Sequence, residues 1–350
     1  MQPPFLNRRD FFKLIGGALG FGALSYYLGL RSQPQPTPSE NLPAYLDLES
    51  GFPVFRGPYL QKDAQLTAFL IPAELIALSA LCDQTLNAVP DAAFRYIPLL
   101  SNLLLVQAEM LVSSLDERDA QVGLIPETEV SFWLLTIAMQ ETGLGLVPHH
   151  LAWHIPYLLV DEANAIASGR EVYGFNKQSA DFEKATDAQS LRWSANVLGF
   201  ERFGPDAIAR KERLLEITSP AHEASASQWP DWRTAQGDLS KRLRSEMGSD
   251  LDDGLLAFAA QTALENIPLV FLKQFRDARQ PRKACYQALV EAPLQIQAFR
   301  GGGFFEQAGE LSLHPLESHP LAQRLGLKEK QTSSWGVWLK VDFTLGVGVE

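Results

Sequence analysis

Three apolar runs of strand length crowd the first half of this chain. They are "FRYIPLLSNLLLVQAEMLVSSL" (94–115), "TEVSFWLLTIAM" (128–139) and "HLAWHIPYLLV" (150–160). The second is rich in β-branched and aromatic side chains, which pack well on a pleated surface. Strands resume in "KACYQALVEAPLQIQAFRGGGFFEQAGELSLHP" (283–315), and the chain ends in a long apolar strand within "SSWGVWLKVDFTLGVGVE" (333–350). Arg300 to Gly303 read as a turn between strands, in poor context for a phosphate loop. Many antiparallel-looking strands with few βαβ units predict a β-rich α+β domain, and no internal repeat is present.

Helical patterns are fewer. Residues 71–90 read as a helix with Pro72 in its first turn, and 161–171 as a short helix with acids at its start and Ala163, Ile166 and Ala167 inside. The character changes from about 184 to 266, where a charged stretch is interrupted by Ser, Pro and Gly. It reads as a partly helical insertion, with helices near 238–246 and 251–265.

The chain of 350 residues is long enough for a substantial core. Its net charge of −11 argues against nucleic acid as a partner, because phosphate binding needs a basic surface. The two cysteines, Cys82 and Cys285, lack zinc-ligand spacing. They read as two buried thiols, or as a disulfide if the protein is exported. His149, His150 and His154 cluster, but a metal would need a third ligand, with Glu141 the obvious candidate; strand histidines are the simpler reading.

Export is predicted by the N-terminus. Arg8 and Arg9 precede Phe11, Phe12 and Lys13, and an uncharged run follows from Leu14 to Leu30. This resembles a twin-arginine export signal (residues 1–30), with Asn7 in place of the usual Ser or Thr. The run is short and glycine-rich for a permanent span, yet no clean cleavage site follows it. Cleavage and retention as an anchor both stay open. Residues 31–42 form a proline-rich linker, and 43–350 the folded domain. The expected partner during export is the twin-arginine translocase, and the expected location is the periplasm or another extracytoplasmic compartment.

The stretch "AIASGREVYGFNK" (165–177) resembles the acetoacetate decarboxylase family, which carries A-I-x-x-G-R-E-x-x-x-x-P-K-K. Ala165, Ile166, Gly169, Arg170, Glu171 and Lys177 match. Asn176 stands in the proline slot and Gln178 in the slot of the second lysine. "FPVFRGPYL" (52–60) is similar to the family's R-G-P-Y segment, and "CYQALVEAPLQIQAFRGGG" (285–303), "SHPLAQRLGL" (318–327) and "VDFTLGVG" (341–348) resemble its C-terminal strands. The resemblance implies an antiparallel cone or barrel-like sheet with flanking helices, assembled into homo-oligomers. It also implies lyase chemistry through a lysine Schiff base, without metal or bound organic cofactor.

That chemistry needs a neutral amine to attack a carbonyl. A free lysine titrates at about 10.4, and holding one neutral near pH 7 costs roughly 4 kcal/mol. Burial or a neighbouring cation can supply this. Gln178 is neutral, so the expected agent is burial by Phe175, Tyr173 and Trp133, or a cation distant in sequence. The resemblance makes Lys177 the Schiff-base lysine and Glu141 the proton-handling carboxylate. Arg56, Lys62, Trp133 and Phe175 are the expected substrate-binding residues. Two family groups are missing: Trp133 stands at a glutamate slot, and Ala64 at an arginine slot near which Lys62 is the nearest cation. These departures put acetoacetate itself in doubt. They leave a keto-acid lyase, a Schiff-base aldolase or dehydratase, and a non-catalytic protein binding a small apolar ligand as the readings.

Overall fold

A computed structural model describes residues 42–46, 54–143, 145–186, 190–220, 227–246 and 267–349. The export signal, nearly all of the linker and the helix expected at 251–265 lie outside these. In chain order the elements are β1 (Tyr59–Pro72), α1 (Leu75–Gln84), β2 (Arg95–Pro98), β3 (Asn102–Ser114), β4 (Ile125–Thr142), β5 (Gly145–Val160), α2 (Ala163–Val172), β6 (Lys177–Ser179), β7 (Asp181–Thr186), β8 (Ser190–Gly199) and β9 (Arg210–Pro220). There follow α3 (Trp232–Glu246), β10 (Leu269–Arg276), β11 (Ala284–Ala292), β12 (Leu294–Phe304), β13 (Glu310–Leu313), α4 (Leu321–Leu325), β14 (Lys330–Thr332) and β15 (Trp335–Leu345).

The strands form two sheets. The larger has ten strands in the order β11-β10-β5-β4-β3-β1-β15-β12, with β2 also paired to β4 and β6 to β5. It is mixed: β10 and β6 both run parallel to β5. Among the described residues no ladder joins β11 to β12, so the sheet is open where a closed barrel was one expectation. The smaller sheet has the order β14-β13-β9-β8-β7.

Further sequence expectations change here. The supposed insertion carries β8 and β9 of the small sheet, which alternate buried Trp193, Ala195, Leu215 and Ile217 with polar neighbours, while the helix expected near 238–246 lies within α3. Arg192 and Lys211 take exposed positions on these strands. Gly301 to Gly303 lie inside β12, not in a turn. The inner face of α2 is Ala165, Ile166, Ser168 and Gly169, while Ala163 and Ala167 are exposed.

The large sheet is buried on both faces, which is why its strands read as continuous apolar runs. Alternation along each strand sends Phe69, Leu105, Phe132 and Leu134 against the small sheet and α1, forming the principal core. The neighbouring residues Ala68, Leu70, Val106 and Leu135 face the other way, toward α3. Cys82 is buried in the principal core and Cys285 is exposed on β11, and both are free thiols. Cys285 therefore departs from the expected pair of buried thiols.

Phe132 is completely buried between the two sheets. Its truncation to alanine removes a large apolar side chain from a packed site that closes only in part. Phe132→Ala is expected to destabilise the fold by about 3–5 kcal/mol, read as a lower urea midpoint with unchanged slope.

Candidate active site

Lys177 opens β6, a three-residue strand hydrogen-bonded in parallel to β5 with Lys177 opposite Leu158. The preceding helix delivers it there. Glu162 caps α2 by accepting from the Asn164 N–H at 3.1 Å. The helix ends where the N–H groups of Tyr173, Gly174 and Phe175 converge on the Gly169 carbonyl. Gly174 has φ +88°, and a Cβ there would lie 2.4 Å from the Lys273 Cα, so only glycine lets the turn press against β10. Asn176, in the family's proline slot, donates from Nδ2 to the Pro156 carbonyl at 2.7 Å and fastens the turn to β5.

Lys177 is only 8% exposed. Its stem lies on the backbone of α2: a Cβ on Gly169 would stand 3.1 Å from Cδ and Cε. The Phe175 ring centroid is 5.4 Å from Nζ. Nζ donates to Glu127 Oε1 at 2.7 Å, and Glu127 is itself 3% exposed. Gln178, in the second-lysine slot, alternates onto the opposite face of β6 and does not line the cavity.

The cavity around Nζ has about 70 Å³ of free volume. Its walls follow from register. Glu127 and Glu129 sit two apart on β4 and so project from one face, with Trp133 farther along. Pairing carries that face across the sheet, from Met110 opposite Glu127 to Val112 opposite Gln61 and Gln61 opposite Phe343. Phe55, Tyr59 and Ser168 close one end, with the Phe55 N–H bonded to Ser168 Oγ at 3.0 Å.

Electrostatically the site is one lysine and two carboxyls in an apolar box. Burial, and then the neighbouring Glu127 carboxylate, push Glu129 up to about 8, against an opposing pull from Lys177. Glu129 therefore holds a proton at neutral pH. Burial also raises Tyr59, which remains a phenol and donates to the Phe55 carbonyl at 2.5 Å.

Of the expected catalytic and substrate-binding residues, Lys177, Phe175 and Trp133 meet at this cavity. The others do not. Glu141 lies at the exposed end of β4, opposite Leu146, and lines a separate surface cleft. Arg56 is tied down by Asp119, through its backbone N–H at 2.7 Å and Nη1 at 2.6 Å, with Asp116 at 3.6 Å. Lys62 is exposed on β1, and Ala64 is buried among Ala108, Met110 and Val341. His150 meets Glu291 at 2.8 Å instead of Glu141. The group beside Nζ is thus an acid, where burial alone or a distant cation was expected.

Sequence reasoning missed Glu127 and Glu129. The long β4–β5 hairpin separates them from Lys177 by more residues than the family spacing suggested. Their signal was present in "PETEVSFW", where two acids two apart open an otherwise apolar strand. The Glu129 proton also makes a pH prediction. Below about 4.5 both folded and unfolded chains hold it; between about 4.5 and 8 the folded chain alone does; the native state is progressively penalised as pH rises through that window. Glu129→Gln removes the titration, so its stability relative to the parent is expected to rise between pH 5 and pH 8 in denaturant titrations.

Solved structures share this architecture. Acetoacetate decarboxylase from Legionella pneumophila subsp. pneumophila str. Philadelphia 1 superposes with TM-score 0.56 at 14% identity, covering 89% of this chain and 92% of that one. The enduracididine biosynthesis enzyme MppR complexed with pyruvate gives TM-score 0.52 at 14% identity, covering 83% and 89%. MppR has also been solved with the condensation product of pyruvate and imidazole 4-carboxaldehyde. An acetoacetate decarboxylase-like enzyme from Sphingomonas wittichii RW1 gives TM-score 0.51 at 11% identity, covering 85% and 94%. No protein-family model and no curated protein sequence matches the chain. A β-rich α+β chain whose two sheets superpose over most of these lengths has the fold of acetoacetate decarboxylase and the enzymes built like it.

Proposed function

We propose that this protein is an acetoacetate decarboxylase-like lyase that acts on a carbonyl compound through a Schiff base at Lys177. The observation that carries the proposal is the 2.7 Å contact between buried Lys177 Nζ and buried Glu127. A buried ion pair contributes little to stability for the desolvation it costs, and such pairs concentrate at reactive sites.

The residues divide the chemistry. Glu127, 2.7 Å from Nζ, is placed to take the proton that the amine must lose before it attacks. The amine attacks the carbonyl carbon, a C–N bond forms, and the carbonyl oxygen leaves as water once protonated. With a β-keto acid, the protonated imine accepts the electron pair released when the bond to the carboxyl carbon breaks and CO2 departs. The enamine carbon then takes a proton, for which Glu129 is the nearby source, and water returns the ketone and the free amine.

A second reading is favoured by one feature of the lining. Lys177 is the only cation among the described residues around the cavity, so a substrate carboxylate has no second partner. Condensation or dehydration of a neutral carbonyl would use the same imine and enamine. The MppR complexes support that route as one open to this fold.

Borohydride reduction with a panel of keto acids, ketones and aldehydes tests both. The expected result is a mass adduct on Lys177, absent from Lys177→Ala. Glu129→Gln is expected to retain the adduct while turnover falls by about 10²–10⁴-fold. Evolution of CO2 marks the first reading and a carbon–carbon condensation product the second. Saturable binding of apolar ligands with no adduct from any carbonyl compound would leave a binding protein instead.

The proposal includes export by the twin-arginine route and assembly into homo-oligomers. An Arg8→Lys, Arg9→Lys double variant is expected to accumulate in the cytoplasm; normal periplasmic levels would contradict export.

A further inference from the structure

The Lys177 cavity shares one wall with a second space. Glu129, Trp133, Leu294 and Phe343 also line a second chamber of about 200 Å³. Its floor is the face of β1, β3 and β15 that carries Ala68. Its roof is α3, which contributes Trp232, Leu239 and Leu243. Glu129 is the only ionisable group among the described residues of this lining.

The roof is built into the fold. Just before α3, the Gln228 N–H donates to the Gly302 carbonyl at 2.9 Å, and the Gln228 side chain bonds both the carbonyl and the N–H of Phe304 at 2.9 Å. The glycines of β12 permit this crossing: a Cβ on Gly303 would stand 2.6 Å from the Gln228 Cδ. Trp229 Nε1 donates to Asp238 Oδ2 at 3.1 Å and holds the first turns of the helix to the crossing segment. Ala235 and Leu243 of α3 pack on the sheet in one cluster with Ala68, Val106 and Val337, so the chamber lies beneath a helix that is itself fixed.

We propose that this chamber receives the apolar tail of the substrate whose carbonyl reaches Lys177. The substrate class is then a carbonyl compound bearing a hydrocarbon group about the size of a benzene ring or a little larger. A cavity of about 150 Å³ lined by Leu, Ile and Phe stays dry and takes up benzene, so the size and lining match that class. A four-carbon keto acid would leave the chamber unfilled. This inference rests on the Schiff-base reading for the position of the carbonyl, and on the chamber alone for the tail.

The test uses the folded protein and a ketone series from acetone through 2-octanone to 2-dodecanone, trapped on Lys177 with cyanoborohydride. The half-saturating concentration is expected to fall about fourfold per added methylene until the chamber is full, then to level or rise. Ala68→Phe fills the floor, and the ratio of half-saturation between acetone and 2-octanone is expected to collapse toward one. Leu239→Ala widens the roof and is expected to move the optimum to a longer ketone, which keeps the test open if the bulkier variant does not fold. A parallel titration with 1-octanol, followed by tryptophan fluorescence, reads the chamber without the amine. Adducts on Lys177 with no gain along the series would overturn the chamber and leave the Schiff base standing. Saturable 1-octanol binding that Ala68→Phe abolishes, with no ketone trapped, would keep the chamber and remove the Schiff base.

Discussion

An ammonium and a carboxylate held 2.7 Å apart with almost no water around them impose conditions on everything nearby. Desolvation of either charge costs several kcal/mol, and mutual attraction repays it only when geometry is held. The fold supplies that geometry through backbone. β6 is fastened to β5, β5 to β4, and β4 carries Glu127, so donor and acceptor are fixed by adjacent strands and not by loops. The lysine stem then needs a surface without side chains, and Gly169 provides it. Glu129 completes the site as the carboxyl whose pKa is pushed up, first by burial and then by the neighbouring Glu127 carboxylate.

A sheet buried on both faces makes this possible. One face of the large sheet packs on the small sheet and α1, and that packing supplies the stable core. The other face is free to be specialised. Near β6 it holds the lysine and carboxyls; farther along β1, β3 and β15 it floors the chamber beneath α3. Alternation along β4 separates the two tasks residue by residue, with Val130, Phe132 and Leu134 serving the core and Glu127, Glu129 and Trp133 the site.

The departures from the family pattern acquire physical meaning in this setting. Asn176 replaces proline, yet its side chain anchors the same turn through a hydrogen bond to β5. Gln178 faces away from the cavity, so a neutral residue there does not disturb the amine directly. Ala64 sits in an apolar cluster with no room for a long cation, and Lys62 points to solvent. Under the proposed function, a lining with one cation among the described residues and largely apolar walls would favour a carbonyl compound with more hydrocarbon and less charge than acetoacetate.

By itself the sequence determined the strand-rich character, the candidate lysine and the helix that presents it. These are legible because hydrophobic runs, turn residues and a local motif act over a few residues. The small sheet was not legible: β8 and β9 mix polar and charged residues with their buried apolar ones, and that mixture read as a loose insertion. The carboxyl partners were not legible either. Glu141 was chosen by counting along the chain, whereas Glu127 reaches Lys177 through two strand pairings whose register depends on the length of the β4–β5 hairpin. Distance in sequence measures neither register nor which face a strand turns inward. Only the tertiary structure decided that an acid, not a cation, stands beside the amine, and that an apolar chamber opens behind it.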